Sequence, residues 1–533
     1  MTGTGHAGLR IDTTAGSILC DPWVHPAYFA SWFPFPDNSQ LDWETLGRVD
    51  YLYVSHLHRD HFDPEHLRRF VPKDATVLLP DFPTNELEDE LRALGFSHFV
   101  RTRSHEPVEL GDGLVIMIEA LTSPTDGPIG DSSLWLEHDG IRLFNQNDAR
   151  PADLSAVRDL GPVAAHLLQF SGAIWYPMVY ELPEPEKRAL GMEKRARQID
   201  RTVRYVDELG ARWVFPIAGP PCFLDEELWE LNDLDRDEAN IFMDQQAFLD
   251  AYRELGYSNG VVLLPGSVAE LTRDDLRVTH PVQDLPQFFA DKEEYLIRYR
   301  ERQRPAIDAE KASWRHPEMD VFAELKERLE RLLNQSTHLA MRVGAPVRLG
   351  LVGDDDESVE AVVIDFPAKE VRRDAGEQVC YHFTMGRALV EHLLHIGEAD
   401  WVNSLLLSCR FTAMRIGGYN ESLLTFFKCL SDERLQYADE WCAAQEPEME
   451  DIRLGDWLVQ RRCPHMKADL ARFAIVDGDV LTCQLHGWQF DLETGRCLTS
   501  TGLEIRAGRR ATGRRPETEA DERSPGATPP MDR

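Results

Sequence analysis

Two groups of residues in this 533-residue chain have types and spacings that could do chemistry. Near the C-terminus stand Cys463-Pro464-His465 and, seventeen residues further on, Cys483-Gln484-Leu485-His486-Gly487-Trp488. Each short motif supplies one thiolate and one imidazole, so two loops must close together on a shared centre. Two sulfurs on one iron and two imidazole nitrogens on the other would hold a [2Fe–2S] core. A single tetrahedral zinc is the rival for the same donors. Iron is favoured by Gly487, which leaves space beside the second His, and by Trp488 and Phe490, which can cover a cluster. Phe490-Asp491-Leu492-Glu493-Thr494-Gly495 also reads as a hairpin turn leaving a strand. Near the N-terminus, His56-Leu57-His58-Arg59-Asp60-His61 follows directly on the apolar run Val49 to Ser55. On extended backbone His56 and His58 point the same way. Asp60 and His61 lie on the turn into a helix that Asp63-Pro64-Glu65 begins. Such side chains at the carboxyl end of a strand suit one or two metal ions.

The C-terminal pair of motifs resembles that of Rieske proteins. This implies a small β-domain whose cluster is held by Cys463, His465, Cys483 and His486. The H-x-H-x-D-H run resembles the metallo-β-lactamase superfamily, which implies an αββα sandwich with metal at His56, His58, Asp60 and His61. In that superfamily a later Asp bridges two metals. Asp148, which ends the strand-like Leu143-Phe144-Asn145-Gln146-Asn147, fits that position, or else is a helix cap or turn residue. Asp21-Pro22-Trp23 and Gly5-His6-Ala7 resemble the lactonase branch. Cys20 to Trp23, the aromatic run Tyr28 to Phe33, Asp42-Trp43 and Ser55 to His58 resemble the CMP-N-acetylneuraminate hydroxylase family more closely. That family also joins a Rieske domain to a lactamase-like domain, in the opposite order. The superfamily's further imidazoles have no counterpart in the matching stretches. Thr122-Ser123-Pro124-Thr125-Asp126, with Asp131 nearby, holds no His, and neither does Phe215 to Pro221. The expected site is therefore rich in carboxylates and poor in imidazoles, which suits iron. Asp21 and Asp131 read as structural, and His105 and His138 as surface residues. Trp175-Tyr176-Pro177-Met178 and Phe223 either line a pocket or fill the core.

The elements that must position these residues define the expected fold class, α/β plus β. Residues 1–285 form a metallo-β-lactamase-like αββα sandwich, in which Gly5 to Ile11 and Ser17 to Cys20 read as strands. Residues 184–208 read as an exposed helix, and Leu224 to Leu249 as an acidic, helical, solvated face. Residues 286–445 form an α+β helical bridging module. It has amphipathic helices at Phe288 to Arg304 and Pro317 to Leu333, and strands at Val347 to Val352, Val359 to Ile364 and Val379 to Phe383. Asp354 to Glu357 forms a hairpin turn, and helices follow at Met385 to Ile396 and Trp401 to Leu407. This module resembles sterol-carrier-like lipid-binding domains. His392 and His395, beside Glu391 and Asp400, either make a 2-His-1-carboxylate iron site or are surface helix residues. The Asp-x-x-His-x4-His run of ordinary Rieske oxygenases is absent. Residues 446–508 form the Rieske β-domain, entered by a linker from Glu446 to Arg453, with a strand–turn–strand at Ala474 to Thr482. Cys497 reads as a buried thiol. Residues 509–533 form a disordered tail with almost no apolar side chains.

A formal net charge of −35 argues against nucleic acid and against anionic membranes. No run reaches membrane-spanning length, and Met1 to Arg10 lacks an apolar signal core. Nine Cys without a repeating framework imply free thiols apart from the cluster pair, and a cytoplasmic protein. The expected activity is that of an iron-dependent monooxygenase. Its [2Fe–2S] cluster would feed electrons to one or two further metal ions, iron by preference, in the lactamase-like domain. An external donor, a ferredoxin or a reductase, and a small-molecule substrate are the implied partners. A lactonase-type metallohydrolase with an accessory Rieske domain, and a non-catalytic electron-transfer protein, stand as alternatives.

Overall fold

A computed structural model describes residues 1–123, 130–172, 174–353, 359–443, 450–465, 467–500 and 503–509. Pro124 to Asp126, the turn Asp354 to Glu357, the start of the linker and the tail from Arg510 lie outside them.

The N-terminal module is a four-layer αββα sandwich. One eight-stranded sheet runs in the order Leu276–Thr279, Val268–Leu271, Thr2–Gly5, Gly8–Thr13, Gly16–Cys20, Tyr51–Tyr53, Thr76–Leu79, Phe99–Arg101. The six-stranded partner runs Trp213–Ile217, Ala165–Gln169, Ile141–Asn147, Asp131–His138, Leu114–Leu121, Val108–Gly111. Strand alternation divides the apolar residues between two layers. Ile18, Cys20, Tyr53 and Leu78 face the second sheet and meet Ile116, Leu134, Leu167 and Phe215. Leu19, Leu52, Val54 and Val77 face outward onto helical residues such as Leu67 and Leu87. Gly16–Cys20, Tyr51–Tyr53 and Thr76–Leu79 run parallel, so their carboxyl ends share one edge. Asp21 and the His56 to His61 run leave from that edge.

The Gly5 to Ile11 stretch is a hairpin rather than one strand. Thr2–Gly5 and Gly8–Thr13 pair antiparallel about His6-Ala7. A Cβ on Gly8 would lie 2.2 Å from Thr4 Oγ1, so only glycine admits this close turn. The helix Glu184–Leu209 is not simply solvated, because Gln198, Arg201, Thr202, Tyr205 and Val206 are buried. In the 224–249 stretch only Glu226–Leu231 and the residues from Gln245 are helical. Between them Asp233 is buried against Arg195, 3.0 Å away, and this ion pair holds a loop where helix-forming composition predicted helix.

Helices Leu285–Ala290 and Lys292–Ser313 pack on the sandwich. Phe288 stacks on Phe35 at 6.0 Å, and Tyr299 meets Phe33 edge-on at 6.0 Å. The middle module is a five-stranded sheet in the order Glu370–Arg373, Val359–Asp365, Pro346–Val352, Tyr381–Gly386, Phe411–Arg415. Helices Val321–Gln335, Arg387–His395 and Glu421–Lys428 share its core, and Trp175 and Phe223 are buried in the same cluster. The strand Glu370–Arg373 escaped sequence reading because only Val371 of its four residues is buried. The C-terminal module has two three-stranded sheets. Asp451–Leu454 pairs with Trp457–Gln460, so the end of the expected linker is a strand. Ala474–Asp477, Val480–Cys483 and Trp488–Asp491 form the second sheet. No helix among the described residues is long and apolar enough to cross a membrane.

Candidate metal centres

The sandwich edge gathers two groups of three potential donors. His6, Asp60 and His61 form one, and His56, His58 and Asp148 the other, each with donor atoms within 4.8 Å of one another. All five residues expected from the sequence are therefore brought together. His6, which sequence reading missed, joins them with Nε2 2.9 Å from Asp60 Oδ2. It supplies an imidazole that the motif comparison found lacking. The signal that could have found it is a polar His inside Gly5-His6-Ala7-Gly8, a turn too tight for ordinary residues. His6 (φ 53°), Asp21 (φ 42°) and Asn147 (φ 44°) all adopt left-handed backbone around this site, a strain that concentrates at functional sites.

Carboxylates outside the two groups orient the rings. His61 Nδ1 lies 3.1 Å from Asp21 Oδ2, and Asp21 Oδ1 accepts the Ser55 N–H at 2.7 Å. His56 Nδ1 lies 2.9 Å from Ser55 Oγ and 3.3 Å from Asp131 Oδ1. Asp21 and Asp131 thus hold the Nδ1 side of each ring and turn Nε2 inward, as second partners of metal-binding imidazoles do. The Tyr28 hydroxyl donates to Asp60 Oδ1. Among the described residues, His56 Nε2, His61 Nε2 and Asp148 Oδ1 are buried without a hydrogen-bond partner, so the donors fit metal ions. His58 and Asp148 are only partly buried.

The charges suit such a role. Burial holds His56 neutral, well below its usual range, with His58 and His61 adding to the effect. Burial also takes His58 down to about 4 against the pull of Asp60 and Asp148. Burial would raise Asp60, but His61, His6 and His58 hold its carboxyl well below the usual range. Burial would lower His61, yet Asp148, Asp60 and Asp21 hold it well above.

At the C-terminal end the two loops meet. Cys463 and Cys483 are buried and form no disulfide among the described residues. A hydrogen bond from Cys463 lowers the Cys483 thiol against the effect of burial, helped by the backbone N–H groups of Leu485 and His486. His465 and His486 lie with ring centroids 4.8 Å apart, and His465 stacks on Trp488 at 4.1 Å. Among the described residues, both ring nitrogens of His465 and Nε2 of His486 are buried without a hydrogen-bond partner. Thiols paired with thiol and imidazole beside imidazole suit a two-iron core, with sulfur on one iron and nitrogen on the other. Phe490 packs in the module's core. Cys497 is only partly buried, and its sulfur accepts the Ser500 N–H at 3.3 Å.

The modules press on one another around these centres. Tyr205 of the long helix packs on Phe473 at 5.9 Å, and Arg472 binds Asp153 at 2.8 Å. Glu421 of the middle module lies 3.6 Å from His465 Nε2. Burial would raise Glu421, but His465, Lys428 and Tyr419 hold it below the usual range. The charge of Lys428 also reaches His58. His392 and His395 do not join a donor group. They stack instead on His316, with centroids 5.9 and 4.0 Å away.

Residues 454–504 match the Rieske [2Fe-2S] domain model, and residues 321–444 match the Rv3818-like, SCP2-like domain model. A protein of Mycolicibacterium smegmatis named as a Rieske 2Fe-2S iron-sulfur protein is 52% identical over 95% of this chain and 99% of its own length. A relative in Mycobacterium tuberculosis strain H37Rv, named in the same way, is 49% identical over 96% of this chain and 99% of its own. Among solved structures, Igni18, a metallo hydrolase of Ignicoccus hospitalis, covers 52% of this chain and 97% of its own at 17% identity and a TM-score of 0.35. That likeness is too slight to bear on chemistry. On the full-length identity and the matched domain, the chain belongs to this family of Rieske 2Fe-2S iron-sulfur proteins.

Proposed function

We propose that this chain is an iron-dependent oxygenase acting on a small molecule, with electrons entering from an external ferredoxin or reductase. When bound, the [2Fe–2S] cluster supplies single electrons and the N-terminal metal the oxygen chemistry. Two electrons, two protons and one O2 turn a substrate C–H into C–OH and release one water. Cys463, His465, Cys483 and His486 would hold the cluster, and His6, His56, His58, Asp60, His61 and Asp148 the second metal.

The observation that carries this reading is that both donor sets border one shared interface. Glu421 meets His465, and Cys463 and Cys483 share one buried core with Phe144, on the strand Ile141–Asn147 that leads to Asp148. Asp21 and Asp131 fix the imidazole orientations, and Tyr28 holds Asp60. The partly exposed side at His58 and Asp148 admits substrate.

Anaerobic reduction followed by exposure to O2 tests the reading, with cluster reoxidation followed by absorbance and EPR. His58→Ala should slow reoxidation roughly tenfold or more, in line with losses from removing a group that acts at the reacting centre. Equal rates in the two proteins would exclude the N-terminal site as the electron acceptor. One observation favours a hydrolytic alternative. Two three-donor groups side by side also suit activation of water. Zinc at these donors, with turnover independent of the cluster's redox state, would mark that case.

A further inference from the structure

The interface between the long helix and the second cluster loop concentrates positive charge that neither metal centre uses. Lys194, Arg197 and Arg201 recur at three- and four-residue spacing on the helix Glu184–Leu209, so they share one face. Arg150 joins them from the turn after Ile141–Asn147, two residues past Asp148. Arg197 Nη1 approaches the Gly487 carbonyl at 3.4 Å, and a Cβ on Gly487 would come within 2.7 Å of that atom. Glycine beside His486 therefore admits the guanidinium.

The counter-charges are missing where they would be expected. Of the helix's five arginines, Arg188, Arg195, Arg197 and Arg204 each pair with a carboxylate. Arg201, only 8% exposed, has none among the described residues, and its Nη2 lacks any hydrogen-bond partner. Arg150 donates to the neutral amide oxygen of Gln169 at 3.1 Å. Burial, then Arg150, Arg201 and Arg197, pull the Lys194 ammonium down to about 7. Burial and Arg150 pull Arg201 down to about 9. Buried charge without a partner is costly, and it persists where something else supplies the opposite charge. A chain of net charge −35 would repel an anion over most of its surface, so such a ligand needs a local cationic site.

We propose that Arg150, Lys194 and Arg201, with Arg197 at the edge, bind an oxyanion of the substrate, a phosphate or a carboxylate, between Asp148 and His486. This rests on the reading of the Asp148 site as the reaction centre, and it names the substrate class as small and anionic. Such ligands favour fixed guanidinium and ammonium donors.

The test is calorimetric titration of the full metal-loaded chain at constant ionic strength, with inorganic phosphate and, separately, with acetate. Saturable binding of either is expected, and the tighter of the two identifies the group recognised. Arg201→Gln and Lys194→Gln should each weaken binding by roughly tenfold or more. Arg188→Gln, whose carboxylate partner lies outside the cluster, should leave it unchanged. An intact cluster absorbance and EPR spectrum shows that each variant has folded. No binding of either anion, or binding that survives both Arg201→Gln and Lys194→Gln, overturns the proposal. The titration needs no O2 and no turnover. Binding retained in His58→Ala would separate this site from the proposed activity, so each can fail without the other.

Discussion

The N-terminal donors come from three distant points of the chain: a hairpin turn at His6, the run His56 to His61, and a strand end at Asp148. Three of them are held from behind, His61 by Asp21, His56 by Ser55 and Asp60 by Tyr28. The C-terminal donors come from two loops of one small module, and among the described residues neither ring nitrogen of His465 has a hydrogen-bond partner. The sandwich therefore fixes the first site before any ion arrives. The second has its donors on two separate loops, which its cluster would tie together. A site built by the fold should tolerate the loss of its metal, whereas a site built by its cofactor should not.

The largest contrast should appear with His486→Ala. The reduced-cluster EPR signal is expected to vanish, amide exchange to rise across residues 451–509, and the N-terminal metal to stay bound. A surviving signal would show that His486 is not a ligand. Asp21→Asn probes the other side. Losing the carboxylate behind His61 should weaken N-terminal metal binding by about 10–100-fold in a chelator competition and leave the EPR signal unchanged. Tyr28→Phe removes a single hydroxyl donor from Asp60 and should cost roughly 1.5 kcal/mol in thermal unfolding.

An effect seen only at low pH concerns the sandwich alone. Burial pulls His166 down to about 3, where its Nε2 meets Gln146 Oε1 at 2.9 Å. A histidine depressed in the folded state adds stability that is complete above its unfolded value near 6.5 and is lost as pH falls towards 3. Across that window His166→Gln should flatten the fall by about 1.4 kcal/mol per pH unit. An unchanged slope in urea unfolding would show that His166 does not carry it.

Both metal motifs were legible because their donors are close in sequence. His56, His58, Asp60 and His61 share one strand end, and each cluster loop is a few residues long. Asp148 was legible because it ends an apolar strand. His6 was not, since its place opposite Asp60 depends on strand order across an eight-stranded sheet. Asp21 and Asp131 read as structural, yet their carboxylates orient His61 and His56, a role that spacing along the chain does not reveal. The charged residues of Glu184–Leu209 looked solvated because composition cannot tell a face turned to water from one turned to another module. The middle module's likeness to sterol-carrier-like domains was legible in its run of strands and helices, and the SCP2-like model matches it from residue 321. Helices Leu285–Ala290 and Lys292–Ser313 have amphipathic patterns that do not say which core receives them. Phe35 and Phe33 of the sandwich do.

Two separate metal centres in one chain are tested most directly by metal analysis and EPR on anaerobically purified wild-type protein and its Cys463→Ala variant. The wild type should show the reduced Rieske signal together with metal beyond the two irons of the cluster. The variant should lose the signal and keep the remaining metal. Two irons and nothing more in the wild type, or a folded variant stripped of all metal, would contradict it.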